Sequence, residues 1–241
     1  MCFIPIREGP RGEEHRMTIS IIIPVLREEA LINEAITRIR AMDETVEIVV
    51  VDGSPGAETL KAVTGDHAKL VTSGTGRALQ MNRGARIANG DVLLFLHVDT
   101  ELPQNGLRMI SSTVSDGRFV GGAFDLKVGE AGFIFRVIGS IASLRSRLTR
   151  MPYGDQAIFL RRDYFMKIGG YREITLMEDV DLMRRVKAEA EKICILRERV
   201  RTSSRRWNKE GVLRCTLRNW TIMALYLMGV SPERLAKWYR F

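Results

Sequence analysis

Cysteine is scarce: the 241 residues hold three, Cys2, Cys194 and Cys215, far apart and without CxxC spacing. That pattern suggests neither a disulfide framework nor a zinc site, and a reducing cytoplasm is the expected location. Long apolar runs are missing too. A membrane-spanning helix needs about 20 consecutive apolar residues, and the longest candidates, around residues 92–98 and 222–230, are short or interrupted. Residues 1–16 lack the apolar core of a signal peptide and mix Pro, Gly and charge. Positions 1–17 are therefore expected to be a flexible leader, with Met17 a candidate true start. No internal repeat or low-complexity segment occurs.

What is present is an ordinary globular composition, 45% hydrophobic and 27% charged, which argues against disorder. The length suits one large α/β domain, with room for a helical appendage. A formal charge of +8 calls for an anionic partner, which could be nucleic acid, a phospholipid surface or a diphosphate.

From residue 18 onward the chain alternates between two periods. ISIIIPV is an unbroken β-branched run suited to a strand buried on both faces. Residues 28–42 place Ile32, Ile36 and Ile39 at helical spacing. VEIVVV is a second strand ending at Asp52-Gly53, and a short helix at 60–63 and a strand at 69–71 follow. A Gly-rich turn at 73–76 leads into a helix over 77–88, and DVLLFLHV, 91–98, reads as a fourth strand. Another helix after Pro103, strands at 119–126 and 157–161, and helices at 133–148, 179–190 and 211–230 complete the pattern, with a last strand at 193–196 before a basic stretch. Strands alternating with helices predict a doubly wound α/β sheet that binds ligands beyond the carboxyl ends of its strands.

Several residues near those ends could carry chemistry. Asp52 could accept hydrogen bonds from a base or ribose, or simply form the turn that Asp-Gly-Ser-Pro favours. Asp99 offers the hard oxygen that a divalent cation on a diphosphate prefers. His97, two residues before it, reads first as a satisfied histidine and second as a ligand. Gly74 and Gly76 resemble part of a dinucleotide fingerprint, but the third position is Leu79 and the turn follows the third strand, so a nicotinamide site is rejected. The same turn delivers Arg77 and, one helical turn on, Asn82 toward the sheet edge, where cations meet phosphate. Glu178-Asp179-Val180-Asp181 sets three acids at a helix start, more than capping requires, so a general base is expected among them. Arg205-Arg206-Trp207 could close over a diphosphate or form surface cation–π packing. The last long helix, with Trp220, Ile222, Met223, Leu225, Tyr226 and Met228, reads first as core. With Arg214, Arg218, Arg234 and Lys237 nearby it reads second as a peripheral contact with anionic lipid.

The segments ISIIIPVLREE, VEIVVVDGS, GRALQMNRGARIANGDVLLFLHVDT, GGAF, DQAIFLRRDYFMKIGGY and MEDVDL, in this order and spacing, resemble the inverting glycosyltransferases of family 2. HVDT, GDQAIFLRR and SSRRW look similar to the subgroup associated with radical-SAM and selenodomain proteins or arsenosugar biosynthesis. The resemblance implies a GT-A-type, Rossmann-like, mostly parallel sheet flanked by helices, with a C-terminal helical extension. Its expected units are a glycosyltransferase domain at 18–208, split into a nucleotide-binding half (18–102) and an acceptor half (103–208), and helices at 209–241.

It also implies roles. Pro24, Glu28 and Asp52 would line the nucleotide pocket, Arg77 and Asn82 would border the donor diphosphate, and Asp99 would hold Mg²⁺ or Mn²⁺. Asp179 would be the catalytic base with Glu178 beside it, and Arg205 and Arg206 would help neutralise the leaving group. The family's usual metal-binding pair is Asp-x-Asp, and here His97 replaces the first acid. The RRW segment matches the Gln-x-x-Arg-Trp motif of processive members only loosely, so one transfer per encounter is expected. The partners expected are a nucleotide-sugar donor and a small-molecule or lipid-linked acceptor, without nucleic acid. The rival readings are a nucleotidyltransferase, which would want a glycine-rich, lysine-bearing loop where Pro24-Val25-Leu26-Arg27 stands, and a non-catalytic protein binding nucleic acid or another anion.

Overall fold

Seven residues rich in Ile and Val open the fold as β1 (Ile19–Val25), whose Ile21, Ile22 and Ile23 have no exposed surface. The structure is a computed structural model that describes residues 17–129 and 132–238; residues 1–16 of the expected leader lie outside that range. After β1 come α1 (Glu29–Met42), β2 (Glu47–Asp52), α2 (Glu58–Ala62), β3 (Lys69–Thr72), α3 (Arg77–Ile87) and β4 (Val92–Phe95). The second half holds β5 (Thr100–Glu101), α4 (Gly106–Ser115), β6 (Gly121–Val128), α5 (Phe133–Thr149), a 3₁₀ turn at Gly154–Gln156, β7 (Phe159–Arg161), α6 (Arg162–Lys167), α7 (Glu178–Ala188) and β8 (Ile193–Thr202). Helices α8 (Arg205–Glu210), α9 (Val212–Leu227) and α10 (Pro232–Trp238) follow.

The strands form one eight-stranded sheet in the order β3-β2-β1-β4-β7-β6-β8-β5. The first four pair in parallel, β7 runs antiparallel to β4 and β6, β6 and β8 are parallel, and β5 is antiparallel to β8. Because side chains alternate across a strand, β1 feeds both faces. Ile21, Ile23 and Val25 join Ile32, Ile36 and Ile39 of α1 in one core, while Ile22 joins Ala78, Met81 and Ala85 of α3 in the other. A Cβ at Gly84 would stand 2.5 Å from Ile22 Cγ2, so this glycine lets α3 lie close on the sheet.

Two strand ends and one buried face differ most from the sequence expectation. The strand read over 91–98 stops at Phe95, and residues 97–100 turn back through a bond from Thr100 N–H to the His97 carbonyl, 3.0 Å. The strand read at 193–196 continues through the basic stretch to Thr202. There Val200 and Thr202 face inward while Arg197, Arg199 and Arg201 face water, a period of two that the charge masked. In α9 only Cys215, Ile222 and Tyr226 are buried, whereas Trp220 and Met228, expected in the core, are exposed. Cys215 is a free, buried thiol. Among the described residues no helix is long and apolar enough to cross a membrane.

Candidate active site

The parallel strands end at one rim, and the chain leaving β1, β3 and β4 lines a cavity of about 770 Å³. Pro24 of β1 and Glu28, just before α1, form one side. Arg77, the first residue of α3, His97 and Asp99 form the floor side, and Tyr153-Gly154-Asp155 and Glu178-Asp179 face them. Arg205, Arg206 and Trp207 of α8 and Asn219 and Ile222 of α9 also line it.

Two separate sets of charge contacts line this cavity. The Arg205 guanidinium lies 3.2 Å from a Glu28 oxygen and 3.2 Å from Asp99 Oδ2, holding the start of α8 against the turn after β4. Arg77 Nε stands 3.5 Å from Glu178 Oε1. Glu178 is buried, which raises its pKa; the Arg77 charge pulls the other way and Asp179 adds to the rise. Asp179 lies in the first turn of α7, where helix amides favour negative charge. Its Oδ2 accepts the Gly154 N–H at 2.7 Å and its Oδ1 the Val180 N–H at 2.7 Å.

Gly154 links the two banks. A side chain there would place Cβ 3.2 Å from His97 Nε2 and 3.7 Å from Asp179 Oδ2, so the absence of one lets histidine and acid face the same strip of backbone. Burial lowers the His97 pKa to about 4; Arg77 and Arg206 also lower it, and the Asp99 charge opposes them. The imidazole is therefore neutral at neutral pH. Asp155, to which the sequence reading gave no role, is pushed up to about 6 by burial against the pull of Arg145, and its Oδ1 has no hydrogen-bond partner. Its clue in the sequence was a Tyr-Gly-Asp-Gln turn between an arginine-rich helix and a strand. Tyr153, beneath the Arg145 guanidinium at 3.3 Å from its ring centroid, went unnoticed for the same reason.

Two expected donor contacts are placed elsewhere. Asp52 is fully buried at the end of β2 and does not line the cavity. Its Oδ1 takes the Ser54 amide (2.7 Å) and hydroxyl, and its Oδ2 takes the amides of Thr59 (3.0 Å) and Leu60 (3.4 Å). The carboxylate thus organises the turn into α2, the alternative role that Asp-Gly-Ser-Pro suggested. Asn82 is buried and clasps the backbone of Tyr171, its Nδ2 donating to the carbonyl (2.8 Å) and its Oδ1 accepting the amide (2.9 Å). Tyr171 in turn packs edge-on against Phe95 and Phe165, beneath the site.

Among the described residues no group of three His, Cys, Asp or Glu side chains could by itself hold a metal ion. A cation bridging a diphosphate needs fewer protein ligands, because phosphate oxygens and water fill the rest of its shell. Asp99, with neutral His97 two residues away and with a guanidinium already seated between it and Glu28, fits that smaller demand.

A family model described as glycosyl transferase family 2 matches residues 20–173. A mannosyltransferase from Pyrobaculum calidifontis, solved with GDP-mannose and Mn²⁺, shares the fold at a TM-score of 0.62 and 18% identity, over 77% of this chain and 56% of its own. TarS from S. aureus, as residues 1–349, aligns at 0.60 and 18% identity over 78% of this chain and 61% of its own. This chain therefore spans somewhat more than half the length of these structures, and at such identity the likeness speaks for the GT-A fold. No curated protein matches the chain significantly.

Proposed function

Because the chain belongs to glycosyl transferase family 2, we propose that it transfers a sugar from a nucleoside diphosphate to an acceptor hydroxyl, with inversion and with metal assistance. The observation that carries this reading is that Asp99, Arg77, Arg205 and the Glu178-Asp179 pair, distant in sequence, line one cavity. A diphosphate leaving group needs positive charge, and the wall carries Arg77, Arg205, Arg206 and Lys209. Asp99 would hold Mg²⁺ or Mn²⁺, which would neutralise the departing diphosphate.

Asp179 is the base. Its two oxygens are oriented by the Gly154 and Val180 amides, and it removes the acceptor proton as the hydroxyl attacks the anomeric carbon opposite the diphosphate. Glu178, tied to Arg77, positions that arginine. Pro24 and Glu28 border the nucleotide. The likeness of HVDT, GDQAIFLRR and SSRRW supports placement in the radical-SAM/selenodomain-associated subgroup. The exposed Leu213, Leu217 and Trp220 of α9, with Arg214, support peripheral contact of the C-terminal helices with anionic lipid, at the inner face of a membrane, and a lipid-linked acceptor.

The test measures turnover and calorimetric binding with UDP- and GDP-sugars, with and without Mn²⁺. Asp179→Asn is expected to lower turnover by about 10³-fold or more with nucleotide binding intact. Asp99→Ala is expected to remove the Mn²⁺ dependence of nucleotide binding. Undiminished turnover in Asp179→Asn would exclude it as the base.

A further inference from the structure

Helix α5 is built inside out. Its buried positions are Phe135 and three small residues, Gly139, Ser143 and Ser146. Gly139 lies so close to β6 that a Cβ would stand 2.7 Å from the Leu126 carbonyl oxygen. Ser143 Oγ accepts the Leu126 amide at 2.9 Å and donates to the Gly139 carbonyl at 2.7 Å. The helix is thus held to the sheet by its small, polar side. Its large apolar residues, Ile134, Val137, Ile141, Leu144 and Leu148, recur at steps of three and four on the opposite side, after Phe133, and all six are exposed. Phe133 and Leu148 are each 76% exposed. An ordinary surface helix does the reverse, and a continuous apolar stripe of this length marks an interaction surface.

The charge on the same helix selects the partner. Residues 133–150 contain Arg136, Arg145, Arg147 and Arg150 and no Asp or Glu. Arg147 is paired with Asp125, Arg145 lies over Tyr153 and the exposed Arg150 donates from Nη1 to the Ile193 carbonyl at 3.3 Å, while Arg136 stands at the exposed surface. A second copy meeting this face across a two-fold axis would set arginine-only helices against each other. An anionic bilayer satisfies both features, taking the apolar side chains below its headgroups and the arginines at their level.

We propose that α5 is a membrane-docking helix that lies in the headgroup layer of an anionic bilayer, with the stripe from Ile134 to Leu148 inserted. Four residues after the helix ends, Tyr153, Gly154 and Asp155 line the cavity. Docking therefore brings the cavity close to the lipid surface. Resting on the sugar-transfer reading at this point, the proposal narrows the acceptor to one carried by lipid.

The experiment is vesicle co-sedimentation of the full chain, with phosphatidylcholine alone and with phosphatidylcholine mixed with phosphatidylglycerol, at low and high salt. Sedimentation velocity, thermal unfolding and nucleotide binding are read on the same samples. The expected result is binding to the anionic vesicles, weakened by salt, that falls about tenfold or more in Ile141→Glu/Leu144→Glu while nucleotide binding is unchanged. The milder Ile141→Gln/Leu144→Gln variant, expected to show a smaller fall, keeps the test valid if the glutamates impair folding. A Leu217→Glu/Trp220→Glu variant separates the contribution of α9. Vesicle binding unaffected by the α5 variants overturns the proposal. So does an absence of vesicle binding, whether with a dimer that these variants dissociate or with a large loss of stability that marks a face covered by protein. Loss of sugar transfer with vesicle binding retained removes the sugar-transfer reading and leaves the docking face standing.

Discussion

His97 shows how one side chain can be legible in kind and hidden in state. Its folded pKa of about 4 lies below the ordinary 6.5, because burial and the charges of Arg77 and Arg206 disfavour the imidazolium. Between these values the unfolded chain binds the proton and the folded chain does not. The contribution is fully present above about pH 6.5 and is lost as pH falls toward about 4. His97→Gln is therefore expected to lose less stability than the parent over that window, as read by urea unfolding at stepped pH; parallel curves would show that the folded pKa of the histidine is not lowered. Asp52 teaches the complementary lesson. A carboxylate at a strand end has two uses, and local sequence could not choose between them, because the amides of Thr59 and Leu60 that claim it lie in the next element.

At the scale of elements, the contact between α3 and the loop before α7 carries a testable load. Asn82 makes two hydrogen bonds to the Tyr171 backbone, and removing the side chain leaves a buried amide and carbonyl without partners. Asn82→Ala is expected to cost about 2–4 kcal/mol in denaturant unfolding, with nucleotide affinity preserved in the folded fraction. Weakened nucleotide binding at unchanged stability would instead return Asn82 to the donor contact that the resemblance implied. Helix α5 illustrates a different limit. The sequence marks it as a helix, but an apolar period alone does not say which side meets the sheet, and here the small residues do.

At the scale of the whole molecule, the cavity joins elements from both halves of the chain, so its occupant should tighten the fold. A nucleoside diphosphate with Mn²⁺ at about 100 times its dissociation constant would add roughly 2.7 kcal/mol. For a chain of this size that is an expected rise in Tm of about 5–10 °C. The rise should shrink in Asp99→Ala and persist in Asp179→Asn. Equal shifts in the parent and in Asp99→Ala would place the metal away from Asp99.

The sequence by itself determined the buried β-branched strands, the inward stripe of α1, the order of the motifs and the family they resemble. Each of these is written in residues close together along the chain, and a period of two or of 3.6 reports the burial of its own element. Only the tertiary structure decided which side chains meet. The sheet order and the crossovers bring Arg77, Asp99, Glu178, Asp179 and Arg205 to one rim, turn Asp52 and Asn82 to structural partners, add Asp155 to the wall and leave the apolar side of α5 in the open. The physical reason is that partner choice depends on the geometry between elements, which no local pattern encodes.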